Sequence, residues 1–420
     1  MILLRNGTYI DWKTLEFTTT DLLVEEGTNA RILFVDPSSS QKADIIIDCS
    51  GQIITHAFAN GHHHAYSALS RGMPPPQKTP GNFREILQYV WWTLDKALDP
   101  ESIRFSALVT AIACAKNGTT FVIDHHASPF AIDGCLDVIA EAFDTVGVNH
   151  LLCYEISDRD GETIASKGIA ETARYLEHRQ GLVGLHASFT VGDQTLQKSI
   201  ELSARHNAGI HIHVAEDTYD QQHCLETYHS RIIPRLNKAG ALQFPKTILA
   251  HCLHLEQEER KLLSETPVWI AENMESNLNN AVGFFNGEHL FNRVMLGTDG
   301  MHSDMIRSAQ AAYFAGHLHD AIDYPGTYRR FRNIHRYLDQ NGFTGDSDNN
   351  LVVLDYASPT PFTRDNFAGH FLFGWESKQI THVISDGRLI VEKGRCTRVD
   401  EENILSEACK AAERMWTRMQ

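Results

Sequence analysis

The chain has 420 residues, of which 42% are hydrophobic, and its acidic residues outnumber the basic ones by 53 to 37. This length exceeds one ordinary domain and suits a barrel of about 250 residues with an additional smaller unit. The formal net charge of -16 argues against nucleic acid and anionic membranes as partners, because both select for basic surfaces.

The N-terminal sequence and the cysteines indicate the cellular location. The opening segment MILLRNGTYIDW lacks the long apolar core of a signal peptide, and no segment reaches the roughly 20 apolar residues of a membrane span. The eight cysteines are scattered and contain no CxxC pair, which is typical of reduced thiols. We therefore expect a cytoplasmic protein.

The two ends of the chain have the character of β structure. Residues 1–54 contain short apolar or alternating runs separated by turn residues. Residues 351–420 begin with similar runs, with Asp386-Gly387 as a hairpin signal, and end in an amphipathic helix over 403–419. Neither end has enough strands for its own sheet, so we expect both to fold together as a small β-sandwich domain.

Between these ends, over residues 55–350, strand-like runs alternate with helical patterns. This alternation predicts a parallel sheet, and eight strand-helix units predict an α/β fold with a closed, TIM-like (β/α)8 barrel. The first predicted strand ends at His62 and His64. The other seven are predicted over 120–124, 150–155, 182–186, 209–214, 247–251, 268–271 and 294–299.

Several predicted strands end in residue types that bind metals or transfer protons. These are His62 and His64 at the first strand, His213 and Glu216 at the fifth, His251 at the sixth and Asp299 at the eighth. His62 and His64 point to the same face, because side chains two residues apart in a strand do so. Barrel enzymes place catalytic groups at the carboxyl ends of their strands, so we expect these side chains to converge. By itself, the pair of histidines is equally typical of a polar strand end exposed to solvent.

Six segments carry a family resemblance and span nearly the whole chain. They are HHHAYSALSRG (62–72), WWTLDKALD (91–99), FVIDHHASP (121–129), HIHVAEDTYD (211–220), LGTDGMHSDM (296–305) and SPTPFTRDNFAGH (358–370). As an ordered set they resemble the amidohydrolase superfamily, in its aminohydrolase and chlorohydrolase branch. That branch includes deaminases of cytosine, guanine and S-adenosylhomocysteine and the s-triazine hydrolases. Within it, the sequence is most similar to the aminohydrolases called SsnA.

The resemblance implies a metal centre. Carried over position by position, it makes His62, His64, His213 and Asp299 the ligands of one divalent metal. Three imidazoles and one carboxylate suit Zn²⁺ with a position left for water, and Fe²⁺ is the alternative. The fourth predicted strand, GLVGLHASFT, lacks the bridging lysine of two-metal relatives, which favours a single ion.

The resemblance also implies catalytic and substrate-binding roles. Glu216 matches the carboxylate that takes a proton from the metal-activated water and passes it to the leaving nitrogen. His251 matches a histidine beside the attacking hydroxide and the substrate, and Asp299 also accepts a hydrogen bond from the attacking water. His186 matches a substrate-contacting position.

Other residues near these motifs have plainer interpretations. We expect His211 to support a metal ligand or the core, and Trp91-Trp92 to pack in the core. For His125 and His126, packing and substrate contact are equally compatible with the pattern. The family usually has Pro-Gly where this sequence has His56-Ala57, and we expect this to change the local backbone without changing the ligands.

The sequence thus predicts a mononuclear metal-dependent aminohydrolase that releases ammonia from a nitrogen heterocycle such as a purine, pteridine or pyrimidine. One alternative is hydrolysis of another leaving group, such as chloride, an amidine or a cyclic amide. Another is a metal-binding protein without catalysis. The expected partner is a small-molecule substrate, and the resemblance is compatible with a homodimer.

Overall fold

The computed structural model describes residues 1–36 and 41–420, and its strands fall into a sheet from the chain ends and a central barrel. In chain order the strands are β1 (Ile2–Ile10), β2 (Phe17–Val24), β3 (Ile32–Val35), β4 (Ile45–Asp48), β5 (Ile53–His56), β6 (Phe58–His63), β7 (Thr119–His126), β8 (Asn149–Tyr154), β9 (Val183–Ala187), β10 (Ile210–Val214), β11 (Ile248–His251), β12 (Trp269–Glu272), β13 (Val294–Leu296), β14 (Leu351–Leu354), β15 (Ile380–Ser385), β16 (Arg388–Glu392) and β17 (Arg395–Cys396).

The α-helices mostly lie between the barrel strands and at the C-terminus. They are α1 (Phe83–Ile86), α2 (Trp92–Ala97), α3 (Pro100–Lys116), α4 (Cys135–Val146), α5 (Glu162–Leu176), α6 (Asp193–His206), α7 (Thr218–Tyr228), α8 (Ile232–Ala239), α9 (Gln257–Ser264), α10 (Met274–Asn279), α11 (Met305–His319), α12 (Tyr324–Gln340), α13 (Phe367–Phe373) and α14 (Glu401–Arg418). Among the residues that the structure describes, no helix combines the length and apolar character needed to span a bilayer.

The two chain ends fold together into one nine-stranded sheet. Its order is β17-β16-β15-β14-β5-β1-β2-β3, and β4 pairs with β1 beside this path. The antiparallel pair of β5 and β14 joins the ends, and apolar residues from both, such as Ile54 and Leu351, share one buried cluster. The sheet continues past residue 54, because β5 runs to His56 before the chain enters the barrel at Phe58.

The central strands form the predicted barrel. Strands β6 to β8 make one parallel sheet and β9 to β13 make another. Parallel bridges from His63 to Asp299 and from Leu152 to Gly181 join the two sheets at both seams, which closes a ring of eight strands. The α/β fold with a (β/α)8 barrel is therefore confirmed, and all eight predicted strands are present.

The helical residues between β10 and β11 are divided into two helices. His229 adopts a left-handed backbone conformation with φ of 53° and ends α7, and α8 follows from Ile232.

Candidate active site

All the side chains singled out at strand ends lie on one face of the barrel. His62 belongs to β6 and His64 follows it directly, His213 belongs to β10, His251 is the last residue of β11, and Asp299 follows β13. Parallel strands bring their carboxyl ends to the same side of a barrel, so these distant segments meet there.

The imidazole and carboxylate groups make a compact cluster. The Nε2 atoms of His64 and His213 are 3.1 Å apart. Asp299 Oδ1 lies 3.0 Å from His64 Nε2 and 3.6 Å from His62 Nε2. All four side chains are buried, so their polar atoms depend on one another or on a bound group for partners.

The second nitrogen of each ring fixes its orientation. His64 Nδ1 donates to the backbone oxygen of His125 at 2.6 Å, and His213 Nδ1 donates to that of His186 at 2.8 Å. When both rings are neutral, their Nε2 atoms present lone pairs toward the centre of the cluster. A histidine that binds a metal typically uses its other nitrogen in this way.

Two further nitrogen atoms lack partners. The Nε2 atoms of His62 and His251 are buried and have no hydrogen-bond partner among the described residues. On its other side, His62 Nδ1 lies 2.9 Å from His211 Nε2, so His211 supports a predicted ligand. The donor set of three imidazoles and one carboxylate fits Zn²⁺, and the orphaned nitrogen of His62 is the kind of atom that a cation would satisfy.

The electrostatics of the cluster favour one positive charge. Burial lowers the pKa of His62 to about 3 despite the neighbouring Asp299. Burial also disfavours charge on His64, but Asp299 outweighs it and raises the pKa of His64 to about 9. The Asp299 carboxylate therefore stabilises positive charge at the centre of the cluster.

Glu216 lies next to this cluster on the open side. Its Oε2 atom is 3.6 Å from His251 Nε2, and its Oε1 atom accepts a hydrogen bond from Asn280 at 3.5 Å. Burial raises the pKa of Glu216 to about 7, with His251 opposing the shift and Asp299 adding to it. A carboxyl group with a pKa near neutrality is suited to accepting and donating a proton.

The helix α10 supplies polar partners that the sequence interpretation missed. Ser276 donates a hydrogen bond to Asp299, and Asn277 Oδ1 lies 2.8 Å from His251 Nδ1. Asn280, at the end of the same helix, is the residue that contacts Glu216. Ser276, Asn277 and Asn280 are at positions i, i+1 and i+4 shortly after β12, so they share one face of α10. That spacing of polar residues is the signal that could have identified them.

The backbone at the site is strained in two places. His251 and Asp299 have φ of 72° and 53°, in the left-handed region that non-glycine residues seldom adopt. Such conformations cost about 1–3 kcal/mol each and cluster at functional sites. Here they turn the two side chains toward the cluster immediately after their strands end.

A cavity opens onto the cluster, and two tryptophans form part of its wall. Trp91 and Trp92 line it, and Trp91 also packs against the apolar core as expected. The Trp92 ring lies 6.0 Å from that of His186, which also lines the cavity as predicted for a substrate contact. Trp91 and Trp92 precede the cap of α3 at Asp99, and nothing in this part of the sequence shows in which direction their rings face.

The same wall carries a buried ionic group. Arg159 donates to Glu155 Oε1 at 3.0 Å and contacts the carboxylate of Asp95, and all three line the cavity. Glu155 in turn lies 3.3 Å from His125 Nδ1. The His125 Nε2 atom donates to backbone oxygens at 3.1 and 3.2 Å, so this histidine has a packing and hydrogen-bonding role. His126 Nε2 is similarly occupied by Ser128 at 2.9 Å.

The fold and the cluster define a class of protein: barrel proteins with histidine and carboxylate groups gathered on their catalytic face. The chain belongs to the amidohydrolase family, whose sequence profile matches residues 53–327. Two relatives cover most of the chain. One is the 5-methylthioadenosine/S-adenosylhomocysteine deaminase of Syntrophomonas wolfei, 25% identical over 89% of each chain, and the other is the 5'-deoxyadenosine deaminase of Methanopyrus kandleri, 26% identical over 94% of each.

Solved structures share the fold over nearly the whole length. An adenosine deaminase from Xanthomonas campestris with bound zinc has a TM-score of 0.86 and 19% identity, covering 99% of this chain and 98% of its own. The atrazine chlorohydrolase TrzN from Arthrobacter aurescens, in complex with zinc, has a TM-score of 0.83 and 17% identity, covering 98% and 100%.

Proposed function

We propose that this protein is a mononuclear metal-dependent aminohydrolase that releases ammonia from an amino-substituted nitrogen heterocycle. The observation that carries the proposal is the position of Glu216, a largely enclosed carboxyl group 3.6 Å from His251 and beside the histidine and aspartate cluster. A purely structural metal site uses four protein ligands and has no need of an adjacent proton carrier.

The chain's own residues divide the work of the reaction. His62, His64, His213 and Asp299 would hold one divalent ion, with Zn²⁺ as the first candidate and Fe²⁺ as the second. When bound, such an ion supplies water activated for attack near neutral pH. Zinc in two solved structures of the same fold supports the choice of metal.

Glu216 moves the proton. As the carbon-oxygen bond to the ring carbon forms, the Glu216 carboxylate takes the proton that the attacking water loses. It then delivers this proton to the amino nitrogen, which leaves as ammonia when the carbon-nitrogen bond breaks. The pKa of about 7 at Glu216, raised chiefly by burial, suits both halves of this transfer near neutral pH.

His251 and His186 orient the reactants. Asn277 holds His251 Nδ1, which leaves His251 Nε2 facing Glu216 and Asp299 at 3.6 and 3.9 Å. From there the Nε2 atom can accept a hydrogen bond from the substrate near the reacting carbon. His186 lies on the cavity wall, where it contacts a bound ring together with Trp92.

The walls of the cavity favour a flat, polar substrate. Trp91 and Trp92 offer aromatic surface, and the Asp95 and Arg159 pair offers one acceptor and one donor group. An amino-heterocycle presents the matching features: a ring face and ring-edge donors and acceptors. Two relatives are named as deaminases of adenosine derivatives, which supports purines as the first candidates to test.

The assay that tests this proposal measures ammonia released by zinc-loaded protein. The substrates are aminopurines with and without a ribosyl group, aminopteridines and aminopyrimidines, and chloride release from chloro-substituted analogues is followed in parallel. Saturable ammonia release from at least one amine supports the proposal. Chloride release alone favours the alternative leaving group, and no turnover by fully loaded protein favours a non-catalytic metal-binding protein.

We also propose a cytoplasmic location and a small-molecule substrate, with a homodimer as the form to be tested by light scattering.

A further inference from the structure

A second cavity, of about 550 Å³, lies apart from the active site. It is bordered by the turn after β1, by α12 and by the short helical turn over Arg364–Asn366. Its volume is within the range of about 300–1,000 Å³ that small-molecule sites occupy. The basic residues that line it are Lys13, Arg329, Arg332, Arg336 and Arg364, and the acidic one is Asp365.

Among the residues that the structure describes, four of these cations are exposed and have no carboxylate partner. The guanidinium groups of Arg329 and Arg364 make no hydrogen bond or ion pair within residues 1–36 and 41–420. Arg336 donates only to the side-chain oxygen of Asn333, at 3.2 Å, and the Lys13 ammonium lies over the Trp12 ring at 5.0 Å. A chain with a net charge of -16 has many carboxylates, yet they do not neutralise this group of cations.

Arg332 also lines the cavity and has a donor without an acceptor. The residue is 3% exposed, and its Nη1 atom donates to the backbone oxygens of His56 and Ala57 at 3.1 and 2.8 Å. Its Nη2 atom is buried and has no hydrogen-bond partner among the described residues. A buried guanidinium nitrogen without an acceptor is costly unless a ligand supplies one.

We propose that this cavity, which we call the arginine cavity, binds a small phosphorylated anion. The exposed Arg329, Arg336 and Arg364 line it together with Arg332, and the exposed guanidinium groups can donate to phosphoryl oxygens. This site is independent of the proposed aminohydrolase function.

The chemistry favours phosphoryl groups over a single carboxylate. A phosphoryl group carries about -1.5 to -2 charge at pH 7 and three acceptor oxygens, which matches several forked guanidinium groups at once. The lining of the cavity carries five basic side chains and one acidic one, so it has a surplus of positive charge. A ligand with several negative charges would neutralise that surplus. Two linked phosphoryl groups, as in pyrophosphate or in a nucleoside diphosphate, fit that surplus better than a single carboxylate does.

The arginine cavity is separate from the metal cluster. Arg332 contacts the backbone immediately before β6 begins, whereas His62 and His64 lie at the other end of that strand. A ligand at Arg332 is therefore on the opposite face of the barrel from Glu216 and cannot be a substrate in transit.

The test measures pyrophosphate binding to zinc-loaded protein by isothermal titration, with ADP and citrate as further ligands. The double variant Arg329→Glu/Arg364→Glu should raise the dissociation constant at least about tenfold, because two charge-assisted hydrogen bonds are lost. The matched control is Arg104→Glu/Arg205→Glu, which makes the same charge change at two exposed arginines on α3 and α6. It should bind pyrophosphate as the unmodified protein does.

The outcomes separate the sources of the ligand and the two sites. Tighter binding of ADP than of pyrophosphate identifies a nucleotide, and the reverse identifies a free polyphosphate. Equal weakening in both double variants, equal affinity for citrate, or no saturable binding overturns the proposal. Binding that disappears in His213→Ala protein but persists in Arg329→Glu/Arg364→Glu protein places the anion at the active site and also overturns it.

Discussion

The Nε2 atoms of His64 and His213 face each other at 3.1 Å, while the Nδ1 atoms of both rings donate to backbone oxygens. If both imidazoles are neutral in these tautomers, the lone pairs of the two Nε2 atoms face each other, and this repulsion is unfavourable in a buried site. A positive charge between them removes the conflict, and Asp299 Oδ1, 3.0 Å from His64 Nε2, stabilises that charge. The arrangement is therefore preorganised for a cation.

Removing one of these rings should remove the metal. We expect His213→Ala to lower the bound zinc from about one equivalent to less than about a tenth, because the ion loses a ligand in a four-ligand set. Metal analysis after gel filtration measures this. His178→Ala, at a histidine whose side chain is 47% exposed, is the matched control and should keep its zinc. Full zinc content in His213→Ala would place the ion elsewhere.

Glu216 should be required for turnover but not for metal binding. The change Glu216→Gln keeps the shape of the side chain and removes its ability to take a proton, so we expect the rate of ammonia release to fall by about 10²–10⁴-fold. Ammonia release and zinc content are measured on the same sample. The control is Glu226→Gln on the exposed face of α7. Substantial activity in Glu216→Gln with full zinc would contradict the assigned role.

Asn277 should act through His251. It holds His251 Nδ1 at 2.8 Å, so Asn277→Ala frees the ring to rotate or change tautomer. We expect kcat to fall about 10- to 100-fold with little change in KM, the size of loss seen when supporting hydrogen bonds to active-site histidines are removed. Asn279→Ala, on the exposed side of the same helix, is the control. An equal loss in both variants would indicate a general effect on α10 and not on His251.

The sequence predicted the barrel and the metal-ligand candidates because both have a periodic signal. Alternating strands and helices fix the topology, and strand ends in a parallel barrel must meet, so His62 and Asp299 could be brought together without coordinates. Asp95 gave no such signal, and the spacing of Ser276 and Asn277 was the only signal on α10. These residues reach the site from α2 and α10, whose positions depend on packing, and a single polar residue in a sequence does not show which way it faces.

The same limit applies to Trp91 and Trp92. Both are half-buried and line the cavity, and Trp91 also packs against the apolar core. Composition distinguishes apolar from polar surroundings but does not distinguish a core from the apolar wall of a pocket, because both remove the ring from bulk water.

Arg159 should stabilise the fold as well as line the cavity. It contacts Asp95 and Glu155, which are 2% and 5% exposed, so Arg159→Met leaves two buried carboxyl groups without their cation. Breaking a buried ion pair on one side costs about 3–5 kcal/mol. Urea unfolding of the zinc-free protein measures this. Arg388→Met, which breaks an exposed pair with Glu26, is the control and should cost less than about 1 kcal/mol. Equal losses would show that the buried group carries no special stability.

His335 should make the fold sensitive to acid. Its Nδ1 atom donates to Asp346 at 2.7 Å, and Arg332 donates to its Nε2 atom at 3.3 Å, so the buried ring is neutral. Burial lowers the pKa of His335 to about 4 in spite of Asp346, whereas the unfolded chain has a value of about 6.5. Between these values the unfolded state binds one proton more than the folded state, so stability falls as pH falls from about 6.5 to 4, by about 1.4 kcal/mol per pH unit.

Proton uptake during urea unfolding at about pH 5, followed by titration, should be smaller by about one proton in His335→Gln than in the unmodified protein. His178→Gln, at an exposed histidine, should leave the uptake unchanged, and an unchanged uptake in His335→Gln would mean that the ring is already protonated in the folded protein.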